Sequence, residues 1–215
     1  MKNPLEIRFD NRKLKNRNSL WKILIDEYFN KYIENNSTVL DVGAGYCEFI
    51  NNIICKNKIA LDSSSIINKY ANKEVKTIVK TFGEIPRDYY NKIDVVFMSN
   101  FLEHLDSKKE VIDVFKLTNK LLKKGGKLLI MQPNIDLLKE RYWNRIDHNI
   151  ALNGESIKEA LILSNFVLKE YCKMFLPPTF QTKMPINRIL IKIYLFIPSN
   201  LRLIAGQSFF VALKK

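Results

Sequence analysis

Residues 41 to 62 hold the first chemically informative set in the chain: Asp41, then Gly43-Ala44-Gly45, then Asp62. Two glycines separated by one residue let the backbone turn sharply out of a buried strand and approach a ligand closely, because no Cβ stands in the way. An acid about twenty residues further on, closing a second strand, can accept both hydroxyls of a ribose. A hydrogen bond to a charged acceptor contributes roughly 1.5–3 kcal/mol, so Asp62 alone could dominate the choice of nucleoside. A cation at that position would have indicated a phosphorylated ribose. The dinucleotide fingerprint needs a further glycine three residues after Gly45, and the chain has Glu48 there. An acid at a helix entrance opposes a pyrophosphate and suits a cationic ligand.

The segment VLDVGAGYCEF, residues 39 to 49, resembles motif I of the class I S-adenosyl-L-methionine (SAM) dependent methyltransferases. The resemblance implies SAM as cofactor, with Asp41 near the methionine moiety, Asp62 on the ribose, and Gly43 and Gly45 forming the floor. It also implies cofactor contacts from Ser63, from Phe82 as an apolar adenine wall, and from Ser99. The family's usual third glycine is Cys47 here. SNFLEHL, residues 99 to 105, is similar to motif IV of the small-molecule branch, and LKKGGKLLI is a further hallmark. The family fold implied is a Rossmann-like, doubly wound α/β sheet. It has seven mostly parallel strands, the last antiparallel, and helices on both faces.

Methyl transfer from a sulfonium is an in-line displacement. The nucleophile must lie about 3 Å from the methyl carbon, and an alcohol must lose its proton. The chain has two histidines. His148, beside Asp147, is the first candidate general base, and His104 is the second; the competing reading of either is structural. Glu103, Tyr142, Trp143 and Arg145 are candidates for acceptor binding, because the polar and aromatic stretch after strand five is longer than a connection needs. A metal site through Glu103, His104 and His148 lacks a close ligand pair at helical i, i+4 spacing, so no metal is assigned.

Several elements must position these groups. An amphipathic helix is expected from residue 19, with Trp21, Leu24, Ile25, Tyr28, Phe29 and Tyr32 at helical spacing. It is read either as a lid over the cofactor or as core, and it follows a polar, basic arm at residues 1 to 18. Residues 63 to 71 read as a helix and 77 to 82 as the third strand. Residues 93 to 98 form a continuous apolar run expected of a strand buried on both faces. Ser107 and Glu110 form a capping box for a helix that Gly125-Gly126 ends, and Ser156 and Glu159 repeat the pattern. Residues 167 to 175 and 207 to 213 are the last two strands. The domain reading is an arm and lid helix over 1–36, a SAM-binding domain over 37–215, and a basic amphipathic insertion at about 177–205.

With 215 residues, 47% apolar, the chain suits one domain with a substantial core. Its net charge is +13, which reflects either a Lys-, Asn- and Ile-rich composition or a surface attracting nucleic acid, anionic lipid or phosphorylated substrate. Three cysteines without C-x-x-C spacing fit a reducing cytoplasm. No apolar signal core or bilayer-length stretch is evident, so a soluble or peripheral protein at the inner face of the membrane is expected.

The segments YWNRIDH, FLPPTF, IYLFIPS and GQSFFVALKK resemble methyltransferases of bacterial surface-polysaccharide gene clusters. That implies O-methylation of a sugar hydroxyl on a glycan precursor, phosphorylated or lipid-linked, or of a related small metabolite. Base methylation usually goes with N-P-P-aromatic, which SNFL lacks. An RNA methyltransferase and a non-catalytic SAM-binding or membrane-docking partner stay open. So do packing of 186–204 on the domain, on a membrane or in a homodimer.

Overall fold

The computed structural model describes residues 11–177 and 186–215. The expected arm at residues 1 to 10, and residues 178 to 185 of the expected insertion, lie outside that set. The strands are β1 Thr38–Val42, β2 Asn57–Asp62, β3 Val75–Val79, β4 Ile93–Ser99, β5 Leu122–Pro133, β6 Phe166–Leu176 and β7 Gln207–Lys214. The helices are α1 Asn11–Glu27, α2 Glu48–Asn52, α3 Ile67–Tyr70, α4 Lys108–Leu121, α5 Ile135–Leu138, α6 Gly154–Leu163 and α7 Arg188–Phe196.

The strands form one sheet in the order β3-β2-β1-β4-β5-β7-β6. β1, β2, β3, β4 and β5 are mutually parallel, while β7 runs antiparallel to both β5 and β6. The expected seven-stranded sheet with an antiparallel last strand is therefore present, with that strand inserted between β5 and β6. The order reverses between β1 and β4, and in open α/β sheets the crevice outside the carboxyl ends at such a switch is where ligands sit.

Alternation along the strands feeds two cores, one on each face. Leu40, Val42, Val96 and Met98 point to one face, where they pack with Val111 and Phe115 of α4 and Ile157 and Leu161 of α6. Val39, Val95 and Phe97 point to the other, where Trp21, Leu24 and Ile25 of α1 join Phe29, Phe49, Phe175 and Phe209. The Phe49 and Phe97 rings stack at 3.7 Å between centroids. Burying each such ring contributes on the order of 1.5–3 kcal/mol, so this face fixes α1 firmly against the sheet.

Local structure departs from the sequence reading in five places. The helix α1 already begins at Asn11, because Arg17 and Asn18 of the expected arm find partners in Glu48 and Asn52. The helix expected over 63–71 shrinks to Ile67–Tyr70; Asp62 Oδ1 accepts from the Ser64 amide at 2.8 Å, an Asx turn that competes with helix. The third strand ends at Val79, and Thr81–Glu84 forms a capped 3-10 turn instead. α4 stops at Leu121, and Gly125, at φ +74°, bends the start of β5 rather than ending the helix. The α6 cap is Asn153, whose side chain accepts from the Ser156 amide at 2.9 Å, so Ser156 lies inside the helix. At α4 the Ser107 cap is as expected, with Glu110 reaching back one residue further, to the Asp106 amide.

Candidate active site

A cavity of about 1250 Å³ opens at the carboxyl ends of β1, β2, β3 and β4. Its floor is the loop after β1. Gly43 has φ +69°, and a Cβ there would stand 2.9 Å from Phe101 Cδ2, so this position needs glycine on two grounds. Gly45 also has positive φ, and its amide donates to Asp62 Oδ2 at 2.9 Å. Asp62 thus accepts one amide on each oxygen, from Gly45 and Ser64, and each oxygen keeps a further lone pair for a ligand. Cys47, where the family carries glycine, takes φ 59° as the residue before α2. Burial pushes its thiol up to about 12, so it is an inert packing group and not a nucleophile.

Asp41 is almost wholly buried on the same cavity wall. Desolvation, and then the neighbouring carboxylates Glu48 and Asp62, hold its carboxyl well above the usual range. A buried carboxyl in that condition favours a cationic ligand, which would restore its ionised form. Glu48 is less available than the sequence implies, because Arg17 Nε donates to its Oε1 at 2.6 Å and Nη2 to its Oε2 at 3.2 Å. Ser63, Phe82 and Ser99 also line the cavity, with the Phe82 ring edge-on to Phe101. A glycine floor that a Cβ would block, a ribose-type carboxylate at a strand end and a desolvated acid together suit a nucleoside bearing a positive charge.

The opposite wall joins two segments far apart in sequence. Leu102–His104 is a 3-10 turn directly after β4. The Glu103 carbonyl accepts from the amides of Asn149 and Ile150, and the His104 carbonyl accepts from the Asn149 side chain. His104 Nδ1 lies 2.5 Å from the Asp147 carbonyl. That oxygen can only accept, so a neutral ring carries its proton on Nδ1 and its lone pair on Nε2. Nε2 of His104 and Nε2 of His148 each stand 3.9 Å from Glu103 Oε1, and the two rings are 5.7 Å apart. Glu103 is 1% exposed; burial raises its pKa, with the nearby His104 opposing. Among the described residues its Oε2 has no hydrogen-bond partner of ordinary geometry.

Arg145, Asp147, His104 and His148 all line the cavity, as does Glu103. Two of the expected acceptor-binding residues do not. Tyr142 is fully buried and donates its hydroxyl to the Ile150 carbonyl at 2.8 Å, while its ring supports His148 edge-on at 4.9 Å. It is therefore a support for the loop. Trp143 is 51% exposed and packs on Tyr142 outside the cavity.

The sequence reading missed Arg17, which reaches the cavity from α1 together with Trp21 of the helix read as lid or core, and it missed Arg141, Asn100 and Gln207. Gln207 Nε2 donates to Asn100 Oδ1 at 2.6 Å. Only the backward extension of the α1 apolar period could have suggested Arg17, and nothing local marks Gln207, which the insertion of β7 beside β5 brings in. Among the described residues no three His, Cys, Asp or Glu side chains are grouped to hold a metal ion.

Comparison with known proteins agrees with this geometry. A SAM-dependent methyltransferase from Archaeoglobus fulgidus superposes with a TM-score of 0.69 at 21% identity, covering 95% of this chain and 100% of its own. A geranyl diphosphate methyltransferase in complex with SAM gives 0.64 at 12% identity, covering 92% and 85%. A SAM-dependent methyltransferase from Mesorhizobium loti gives 0.60 at 13%, covering 86% and 94%. Comparison with curated proteins at the sequence level gives no match. The family model described as a methyltransferase domain matches residues 14–170. That span runs from the helix carrying Arg17 to the strand that follows α6, and so takes in both walls of the cavity. The chain accordingly belongs to the methyltransferase-domain family.

Proposed function

We propose that the chain methylates a hydroxyl of a sugar, in a glycan precursor or related small metabolite. Bound SAM supplies an electrophilic methyl carbon. Asp62 holds the ribose hydroxyls, Gly43 and Gly45 bring the backbone close, and Asp41 faces the methionine moiety. Phe82 walls the adenine, with Ser63 and Ser99 at the polar edges. Arg17 and Trp21 close this end of the cavity from α1, as a lid would.

The observation that carries the reading is the pair of imidazoles flanking one buried carboxylate, both with Nε2 at 3.9 Å from Glu103 Oε1. A hydroxyl placed on this wall loses its proton to His148 or, failing that, to His104. Glu103 orients the rings and stabilises the imidazolium that forms. Arg141 and Arg145 on the same wall fit an acceptor carrying phosphate, nucleotide-activated or lipid-linked.

The test has two stages. Calorimetric titration of S-adenosylhomocysteine is expected to give binding that Asp62→Ala weakens by about 1.5 kcal/mol or more; no binding to the wild type would overturn the cofactor site and favour a non-catalytic partner. Turnover is then followed with methyl-labelled SAM and a panel of sugar nucleotides. His148→Ala is expected to lower it by roughly 10²–10⁴ with S-adenosylhomocysteine binding kept. Wild-type turnover in both His148→Ala and His104→Ala would sink the base assignment. The net charge of +13 favours RNA as the second acceptor class, and label entering RNA, with tight and steeply salt-dependent binding, would replace the sugar reading.

A further inference from the structure

At the carboxyl edge of the sheet, side chains from two strands far apart in sequence form one hydrogen-bonded line. Gln207, the first residue of β7, donates from Nε2 to Asn100 Oδ1 at 2.6 Å. Asn100 Nδ2 in turn donates to the Oγ of Ser99, the last residue of β4, at 3.1 Å. All three residues line the cavity. β5 lies between β4 and β7, and it ends in Pro133, the register partner of Gln207. Proline has no amide proton, so β5 offers no donor at this point and the Gln207 amide reaches past it to β4.

The line is held at a cost to the fold. Asn100 adopts φ +49°, a left-handed backbone that asparagine tolerates better than most residues and glycine best of all. Gln207 is 2% exposed, and among the described residues its Oε1 has no hydrogen-bond partner. A leucine would fill similar space and leave no buried polar atom unpaired. The placement is nevertheless rigid, because both neighbours of Gln207 are tied down. The Gly206 carbonyl accepts from the Asn134 amide at 2.9 Å. Ser208 Oγ accepts from Asn134 Nδ2 at 2.9 Å and donates to the Lys173 carbonyl at 2.6 Å. Strained and unsatisfied groups that persist beside a cavity mark a role in the site and not in folding.

The direction of the line decides what it delivers. Reversed, it would bury unpaired N–H groups on Gln207, and orphaned buried N–H donors are rarer than orphaned carbonyls. In the direction observed, Ser99 Oγ accepts from Asn100, so its one proton remains to be donated to a ligand. A serine hydroxyl by itself rotates to suit either role. The relay removes that choice, which lowers the ordering cost of binding. We infer that Gln207 and Asn100 are positioning residues that hold the Ser99 hydroxyl as a donor to a lone pair of the bound cofactor. The inference rests on Ser99 meeting the cofactor, as in the proposed function, and does not depend on which acceptor is methylated.

Calorimetric titration of S-adenosylhomocysteine tests this on the full chain, beside the melting temperature of each variant. Gln207→Leu and Asn100→Gly are each expected to weaken binding about threefold to tenfold, the range of one neutral hydrogen bond. Ser99→Ala is expected to do the same. Ser99→Ala/Gln207→Leu is expected to bind within about twofold of Ser99→Ala, because Gln207 acts only through Ser99. The melting temperature of Gln207→Leu is expected to hold or rise, since the unpaired oxygen is gone. A merely structural role for Gln207 predicts the opposite split, with stability lost and binding by the folded protein kept. A merely backbone role for Asn100 predicts that Asn100→Gly binds as the wild type does. Wild-type affinity in a folded single variant, or an additive loss in the double variant, overturns the inference and leaves the cofactor site intact. Should Gln207→Leu not fold, Asn100→Gly and Ser99→Ala/Asn100→Gly are held to the same criteria. No binding to the wild type would overturn the cofactor site, and this inference with it.

Discussion

At the scale of single residues, the most telling site is Cys47. A left-handed backbone costs a residue with a Cβ roughly 1–2 kcal/mol, and Cys47 bears that cost at φ 59° while burying its side chain completely. The two effects nearly cancel, since a small buried side chain contributes a similar amount. Cys47→Gly is therefore expected to change stability by less than about 1 kcal/mol, whereas Cys47→Val, which keeps the strain and adds a β-branch, is expected to destabilise by more than 2 kcal/mol. Denaturant unfolding of both variants checks this. A large loss in Cys47→Gly would mean that the thiol's packing between the Gly45 and Ile67 carbonyls, at 3.9 Å each, outweighs the backbone strain.

At the scale of elements, α1 behaves as two halves. Its second half is core, with Trp21, Leu24 and Ile25 buried in the aromatic cluster. Its first half carries the exposed Arg12, Lys13 and Lys15, and Arg17 reaches across to Glu48 on α2. The pair is only partly shielded, so its contribution is on the order of 1 kcal/mol. Arg17→Ala is expected to raise amide hydrogen exchange in residues 11–20 severalfold and to leave exchange in β1, β4 and β5 unchanged. If the whole helix were loosened equally, or nothing moved, the two-half description would be wrong. A first half held by few contacts is also what a lid needs, since the segment that opens must cost less than the domain.

At the scale of the whole molecule, the pH dependence of stability follows from where the acids lie. Burial raises the carboxyl pKa of Asp41 and of Glu103, so the native state keeps these protons above the ordinary carboxylate range, where the unfolded chain has lost them. Their stabilising effect is complete at low pH and is lost as pH rises through the raised values. Glu27, Glu74, Glu84 and Asp113 are lowered by their hydrogen bonds to Arg188, to the Glu74 backbone, to Thr81 and to Lys109, respectively. Their effect runs the other way and is already complete above the ordinary range. The protein without cofactor is therefore expected to melt at lower temperature as pH rises above the ordinary carboxylate range, by at most about 1.4 kcal/mol per pH unit for each group. Asp41→Asn is expected to flatten that slope and to raise the melting temperature at its high-pH end. Calorimetric scans across the range check it, and a slope unchanged in Asp41→Asn would show that Asp41 is already ionised in the native state.

The strand-turn-helix unit over residues 38 to 62 and the sheet's parallel character were readable in sequence. Glycine spacing, β-branched runs and the strand-end acid are local features whose consequences do not depend on distant residues. The β1 floor and the Asp62 carboxylate line the cavity, and so does the segment with Glu103 and His104 that resembles motif IV. Short elements were less legible, because at Ser64, Thr81, Asp106 and Asn153 the outcome turns on side-chain to backbone hydrogen bonds that compete closely with helix. Tertiary structure alone decided that Tyr142 supports the loop, that Arg17 shares Glu48, and that Gln207 arrives through β7. It alone set His104 and His148 around one carboxylate, because contacts between residues 45 apart are selected by packing across the sheet rather than by any local pattern. The sequence also marked residues 186–204 as basic and amphipathic. Only the fold showed that their cations are spent on α1 and on backbone carbonyls, leaving the apolar face outward.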